Sequence, residues 1–185
     1  TLWQAPNYTL NAIGLSNPGL NYYTNHLPEI YQMVHGNGKR LILSLAGFDI
    51  NEYLVMLKTL SYFDIDGVEI NLSCPNTIAE HKNQSIHGFH SLLEYNSLIS
   101  LSTWKHKYMA YKLPPYADVR DIDNVCRDIS SRGTPISAIV LSNTFPNAYL
   151  PHTIDSLPTY GGLSGPAIKP INLGQVHQFS KRLSV

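Results

Sequence analysis

The residues best suited to chemistry lie in Asn71-Leu72-Ser73-Cys74-Pro75-Asn76. A thiol ordinarily titrates at about 8.5, close enough to neutral for Cys74 to act as a general base. Asn71 and Asn76 flank it with neutral amide donors and acceptors. Such amides suit a ring that alternates C=O and N–H groups. Upstream, Gly67 to Ser73 reads as a strand, along which side chains alternate between faces. Glu69, Asn71 and Ser73 therefore share one face, and Val68, Ile70 and Leu72 the other. A free cysteine in a turn closed by proline is commonly a buried, inert thiol. The polar strand end and the asparagine pair point instead to a working one.

Three further segments carry chemical groups. Lys112 ends the apolar run Lys107 to Leu113, which Pro114-Pro115 stops. Burying its ammonium is costly without a partner, so it either escapes to solvent or sits as a fixed charge beside an electron-rich ligand. Ser142-Asn143-Thr144 follows another apolar run. Alone it is weak, since these are common turn residues. Gly161-Gly162-Leu163-Ser164-Gly165-Pro166 precedes a helix. It could let backbone approach a phosphate, but it is neither a Walker loop nor a dinucleotide fingerprint.

Other candidates have plainer readings. Cys126 falls on the apolar stripe of a helix and reads as core. His81, His87 and His90 are spaced by six and three, which fits no zinc pattern, so no metal is expected. Tyr22-Tyr23 stands at a helix start and reads as packing rather than as a stacking platform. No Ser-His-Asp order or HExxH motif occurs.

The elements that must position these residues alternate strand and helix. Arg40 to Gly47 is a nearly continuous apolar run, as in a strand buried on both faces. Asp49 and Glu52 form a capping-box pattern ahead of a helix with Tyr53, Leu57 and Leu60 on one face. Ser91 to Leu101 has helical spacing. Asp118 to Ser131 is a helix with Val119, Ile122, Val125, Cys126 and Ile129 as its stripe. Ser137 to Ser142 is a buried strand, and a last helix starts near Pro170. Such alternation predicts a parallel sheet, either a barrel or a doubly wound sheet.

The bulk composition narrows the classes. Lys plus Arg and Asp plus Glu number 13 each, so the zero net charge argues against a nucleic-acid footprint or a polybasic membrane patch. Two distant cysteines make no disulfide framework, and a reducing compartment is the simpler reading. No apolar run approaches the roughly 18 residues of a membrane span, and Thr1-Leu2-Trp3-Gln4-Ala5-Pro6 has no basic region followed by an apolar stretch, so no signal peptide is expected there. The chain has 185 residues, against about 250 for a (β/α)8 barrel. With no initiator Met and an end inside a predicted helix, both ends are expected to be cut. One domain is expected over 1–185.

Together these segments resemble class 1 dihydroorotate dehydrogenase, the family whose base is a cysteine. The resemblance runs from about Asn11 to Pro170 in the same order. Asn11-Ala12-Ile13-Gly14-Leu15-Ser16-Asn17 is similar to the family's substrate loop, and Gly67 to Asn76 to its most specific motif. Lys112-Leu113-Pro114-Pro115-Tyr116 and Gly161 to Pro170 complete the set. The resemblance implies part of an FMN-binding (β/α)8 TIM barrel. The implied reaction oxidises (S)-dihydroorotate to orotate in pyrimidine biosynthesis.

By that resemblance Cys74 removes the C5 proton while the C6 hydride passes to FMN. Asn11, Asn71, Asn76 and Asn143 grip the pyrimidine, with help from the backbone of Ile13, Gly14 and Leu15. Thr144 takes the hydroxyl position on the substrate side. Asn71 also touches the flavin, Lys112 sits by its N1 and O2 edge, Ser142 meets it through backbone, and Gly165 lies near its phosphate. Thr77 to Gly88 is the loop over the site.

A cysteine base points away from the membrane-bound, quinone-using class and towards a cytoplasmic enzyme, homodimeric when complete. The electron acceptor is either fumarate or an NAD-linked partner subunit: Lys-Leu-Pro-Pro leans to the first, Gly-Leu-Ser-Gly-Pro to the second. The family's lysine-containing segment ahead of Thr1 and its two later glycine-rich strand ends have no counterpart here. Two alternatives follow. One is a non-catalytic member of the family. The other is a different FMN-dependent pyrimidine oxidoreductase.

Overall fold

The computed structural model describes residues 2–47, 50–73, 108–131, 136–149 and 160–183. In chain order its elements are β1 (Leu2–Ala5), β2 (Tyr8–Asn11), α1 (Leu20–Gly36), β3 (Ile42–Leu45), α2 (Ile50–Leu60), β4 (Gly67–Asn71), β5 (Tyr108–Leu113), α3 (Val119–Ser130), β6 (Ala138–Leu141), β7 (Phe145–Tyr149), β8 (Tyr160–Ser164) and α4 (Lys169–Arg182). A 3-10 turn, Pro166–Ile168, leads into α4.

Strands β3 to β6 form a parallel sheet in sequence order. The register explains its two faces. Leu45, Ile70, Tyr111 and Ile139 align across the strands, as do Leu43, Val68 and Met109. Val68, Tyr111 and Leu113 on this face are fully buried, against Leu27 of α1, Tyr53, Leu57 and Leu60 of α2, and the α3 stripe. Each such side chain contributes about 2 kcal/mol of burial, so this outer face holds the sheet to its helices. The other face carries Ser44, Glu69, Asn71, Ala110, Lys112 and Val140 in register. Its polar members Glu69, Asn71 and Lys112 are half-buried, and Ser44 Oγ donates to Glu69 Oε1 at 2.7 Å. A parallel sheet with helices on one side and polar side chains on the other is one flank of a barrel.

Gly67 is required where β4 meets β5. A Cβ there would lie 2.5 Å from the Tyr108 carbonyl oxygen. The helices follow the expected faces. Asp118 caps α3 by accepting from the Arg120 N–H at 2.8 Å. Pro170 stands in the first turn of α4, where its missing N–H costs nothing.

Some expectations need correction. Val119 belongs to the α3 stripe by spacing, yet it is 45% exposed, because its position at the helix start carries it past the sheet. β3 is not buried on both faces: Ile42 and Ser44 are exposed, since β3 is an edge strand of this sheet. β6 is the other edge, and its four residues are half-buried for the same reason. Gly161 and Gly162 are not loop. They lie in β8, the third strand of an antiparallel sheet ordered β1-β2-β8-β7. The register Leu10↔Leu163 and Asn11↔Gly162 joins β2 to β8 across most of the chain, a pairing no local pattern announces. Tyr22 is 48% exposed and stacks on His26 of its own helix, with ring centres 4.2 Å apart. Asp49, the predicted helix Ser91 to Leu101, the Thr77 to Gly88 segment and the three clustered histidines lie outside the described residues.

Candidate active site

All four parallel strands point their C-terminal ends the same way, so Asn71-Leu72-Ser73, Lys112 and Ser142-Asn143-Thr144 gather at one end of the sheet. Asn71 and Lys112 are register partners, so their side chains leave the inner face side by side. Both are half-buried. Among the described residues no carboxylate pairs with Lys112. Its partner across the sheet is the Asn71 amide.

Asn143 ties the strand ends together. Its Nδ2 donates to the Ser73 carbonyl and, at 3.3 Å, to Asn71 Oδ1. Its Oδ1 accepts from the Thr144 N–H at 2.8 Å. The Ser73 N–H donates to Asn71 Oδ1 at 3.2 Å. Backbone bonds set the frame: Leu72 N–H to the Lys112 carbonyl at 3.0 Å and Asn143 N–H to the Leu113 carbonyl at 2.9 Å. The amides are thus preorganised, and Asn71 Nδ2 keeps its donors without an acceptor among the described residues. Such a cluster can orient a neutral ring bearing carbonyl and imide groups. Cys74 follows Ser73 directly in sequence. Cys74 itself and Asn76 lie outside the described residues.

The antiparallel sheet brings Asn11 to the same neighbourhood. Asn11 Nδ2 donates to the Gly162 carbonyl at 3.4 Å. Gly162 in turn packs against Thr144, whose side chain occupies the space a Cβ would fill. Asn11 and Thr144 therefore meet through one glycine. Gly14 has φ +72, a left-handed turn that glycine takes without strain. Ile13 is 54% exposed. Leu15 lines a cleft of about 360 Å³ between the β3 edge, α1 and α2. That mostly apolar cleft touches the amide cluster only at Asn71, so the centre of the candidate site is the cluster.

Gly165 is exposed at φ +91, and a Cβ there would lie 3.1 Å from the Tyr8 Cα and 3.4 Å from the Thr9 nitrogen. A close approach to the hairpin already accounts for glycine there. Ser142 turns its hydroxyl towards α4, with Oγ 2.9 Å from both the Asn143 carbonyl and Asn172 Oδ1. Asn172 was not legible as a site residue, because only the packing of α4 puts it beside Ser142. Tyr53 was legible only as core; its hydroxyl donates to the Asn71 carbonyl at 2.7 Å.

Two other titratable groups lie elsewhere. Burial pushes the Cys126 thiol up to about 11, so it stays protonated and inert near neutral pH. Asp66 precedes β4, at the opposite end of the sheet, where barrel residues serve stability rather than chemistry. It accepts from His35 Nε2 at 2.8 Å, from an Arg40 NH group at 2.9 Å and from the Leu41 N–H at 2.7 Å. Among the described residues no group of three or more His, Cys, Asp or Glu could hold a metal ion.

Comparison with known proteins shows the family. A relative from Streptococcus agalactiae serotype Ia, described as a putative dihydroorotate dehydrogenase A (fumarate), is 32% identical over 183 residues. That match covers 95% of this chain and 56% of the relative. A Streptococcus pyogenes serotype M5 relative of the same description is 32% identical over 181 residues, covering 95% of this chain and 55% of its own length. The chain thus spans about half the length of the curated relatives it matches. Among solved structures, a DHODH from Eimeria tenella in complex with ferulenol superposes with a TM-score of 0.68 at 17% identity. It covers 95% of this chain and 53% of that one, and carries the fold: the parallel sheet is part of a (β/α)8 barrel. The family described as dihydroorotate dehydrogenase matches residues 1–185, and the chain belongs to that family.

Proposed function

We propose that this chain carries the substrate side of a site that oxidises (S)-dihydroorotate to orotate, with FMN as the immediate electron acceptor. The observation that carries the reading is the Asn71–Ser73–Asn143 cluster, which stands beside Lys112 and immediately before Cys74. The described residues fit the ring end of a flavin: a half-buried ammonium with no carboxylate partner among them, next to an asparagine with free donors. When bound, FMN supplies acceptance of the hydride that leaves C6. Cys74, acting as general base, takes the C5 proton onto Sγ, so the C5–C6 double bond forms as proton and hydride depart on separate paths. Asn71 and Asn143, with Asn76, hold the ring so that both bonds are aligned. Asn11, Thr144 and the backbone of Ile13, Gly14 and Leu15 close the other side. Lys112 holds positive charge where negative charge gathers during the transfer. The Ser142 backbone and Gly165 complete the cofactor's surroundings.

The name carried by the streptococcal relatives supports fumarate as the terminal acceptor, in preference to an NAD-linked subunit. The same reading makes the complete protein a cytoplasmic homodimer with one FMN-binding barrel domain per subunit.

The test is anaerobic. The purified protein is mixed with FMN and L-dihydroorotate, and flavin absorbance is followed against a Cys74→Ala control. The expected result is bleaching that slows by about a hundredfold or more without the thiol. Equal bleaching in both proteins would remove Cys74 from its role. Bound FMN that never bleaches in the unaltered protein would refute the activity itself.

A further inference from the structure

We propose that Tyr53 and Asn172 are positioning residues that set the amide cluster from the helices behind it. The proposal rests on the reading above for its consequence in binding, but its geometry stands apart. Pairing of β3 with β4 stops at Leu45↔Ile70, whereas pairing of β4 with β5 continues through Asn71↔Lys112. The Leu72 N–H points to β5, so strand alternation turns the Asn71 carbonyl to the β3 side, one residue past the last β3 partner. Tyr53, 3% exposed on α2, supplies the missing donor at 2.7 Å. The carbonyl it holds belongs to the residue whose Oδ1 receives both Asn143 Nδ2 and the Ser73 N–H.

At β6 the equivalent brace comes from α4. Asn172 Oδ1 and the Asn143 carbonyl both lie 2.9 Å from Ser142 Oγ. A hydroxyl has one proton to give, so the Ser142 rotor is held between two acceptors. The turn that aims the Asn143 side chain is fixed with it. Neither Tyr53 nor Asn172 is a candidate ligand contact. Each acts through one residue that is.

Three variants and two readouts test this on the FMN-loaded protein: Tyr53→Phe, Asn172→Ala and Asn172→Asp. Amide hydrogen exchange is read at Leu72, Ser73, Asn143 and Thr144, and orotate affinity from the flavin spectrum. Tyr53→Phe keeps the core ring and removes the hydroxyl that donates to the Asn71 carbonyl. It and Asn172→Ala are expected to speed exchange at those amides and to weaken orotate by about tenfold, while Val68 and Met109 stay protected. Asn172→Asp, which keeps an acceptor for Ser142, is expected to stay near the unaltered protein. Exchange that rises evenly over the whole sheet, or that does not change, overturns the proposal. If the unaltered protein binds no orotate, the dihydroorotate reading fails, and exchange alone still decides whether the two side chains brace the strand ends.

Discussion

Asn143 illustrates how a few polar atoms organise this end of the molecule. Its two amide ends are committed to Ser73, Asn71 and Thr144. Asn71 Nδ2 and the Lys112 ammonium have no partner among the described residues, and on the proposed reading they face the ligand, where they differ in what they can do. An amide orients, whereas an ammonium stabilises charge. Replacing Lys112 by Ala is therefore expected to lower the rate of flavin reduction by about a hundredfold, with orotate affinity much less affected. Stopped-flow absorbance and an orotate titration separate the two effects. At the other end of the sheet Asp66 is a stability residue. Burial alone would raise its carboxyl, but the Leu41 N–H, His35 and Arg40 outweigh that and hold it at about 2, below its ordinary 3.8. A depressed carboxyl stabilises the fold above its unfolded pKa, and the gain disappears as pH falls through the folded value. The stability gap between the unaltered protein and Asp66→Asn is expected to be full near about pH 5 and to close towards about pH 2. Urea unfolding at the two pH values measures it.

Among the elements, β4 carries most of the site and is also the most constrained strand. One face of it packs on helices through Val68 and Ile70, and the other presents Glu69 and Asn71. At Gly67 β5 leaves no room for a side chain: a Cβ there would lie 2.5 Å from the Tyr108 carbonyl oxygen. A methyl group there would press on the Tyr108 backbone, so β4 and β5 would have to separate. Gly67→Ala is expected to cost about 2 kcal/mol of stability, seen as a lower thermal midpoint. The antiparallel strands do a different task. β8 runs between β2 and β7; Gly161 leaves room for the Asn11 backbone and Gly162 for the Thr144 side chain. What reads as a phosphate loop in isolation is, at Gly161 and Gly162, a strand whose glycines exist for close backbone and side-chain approach.

For the whole molecule, the polar inner face and the apolar outer face assign one side of the sheet to chemistry and the other to cohesion. Among the described residues no helix is long and apolar enough to cross a membrane. On the reading proposed above, the terminal electron acceptor is settled at the scale of the whole molecule. Protein reduced by dihydroorotate is then expected to be reoxidised by fumarate much faster than by NAD+. Anaerobic mixing with each acceptor, followed by flavin absorbance, checks it. Faster reoxidation by NAD+ would move the protein to the NAD-linked subclass.

Several features were decided by sequence alone. The strand-helix alternation, the α3 cap at Asp118, the outer-face residues Val68 and Ile70 and the polar run Glu69-Asn71-Ser73 follow from local periodicity and capping chemistry. These depend on neighbours a few positions away. Tertiary structure alone decided what depends on distant partners. Asn11 reaches Gly162 over 151 positions, and Asn143 reaches Asn71 over 72. The hydroxyl of Tyr53 finds a carbonyl 18 residues on, and Asn172 finds Ser142 30 residues back. Edge exposure of β3 and β6 is likewise a property of strand order. A pattern of residue types states which side chains are polar, but only the folded chain states which atom each of them reaches.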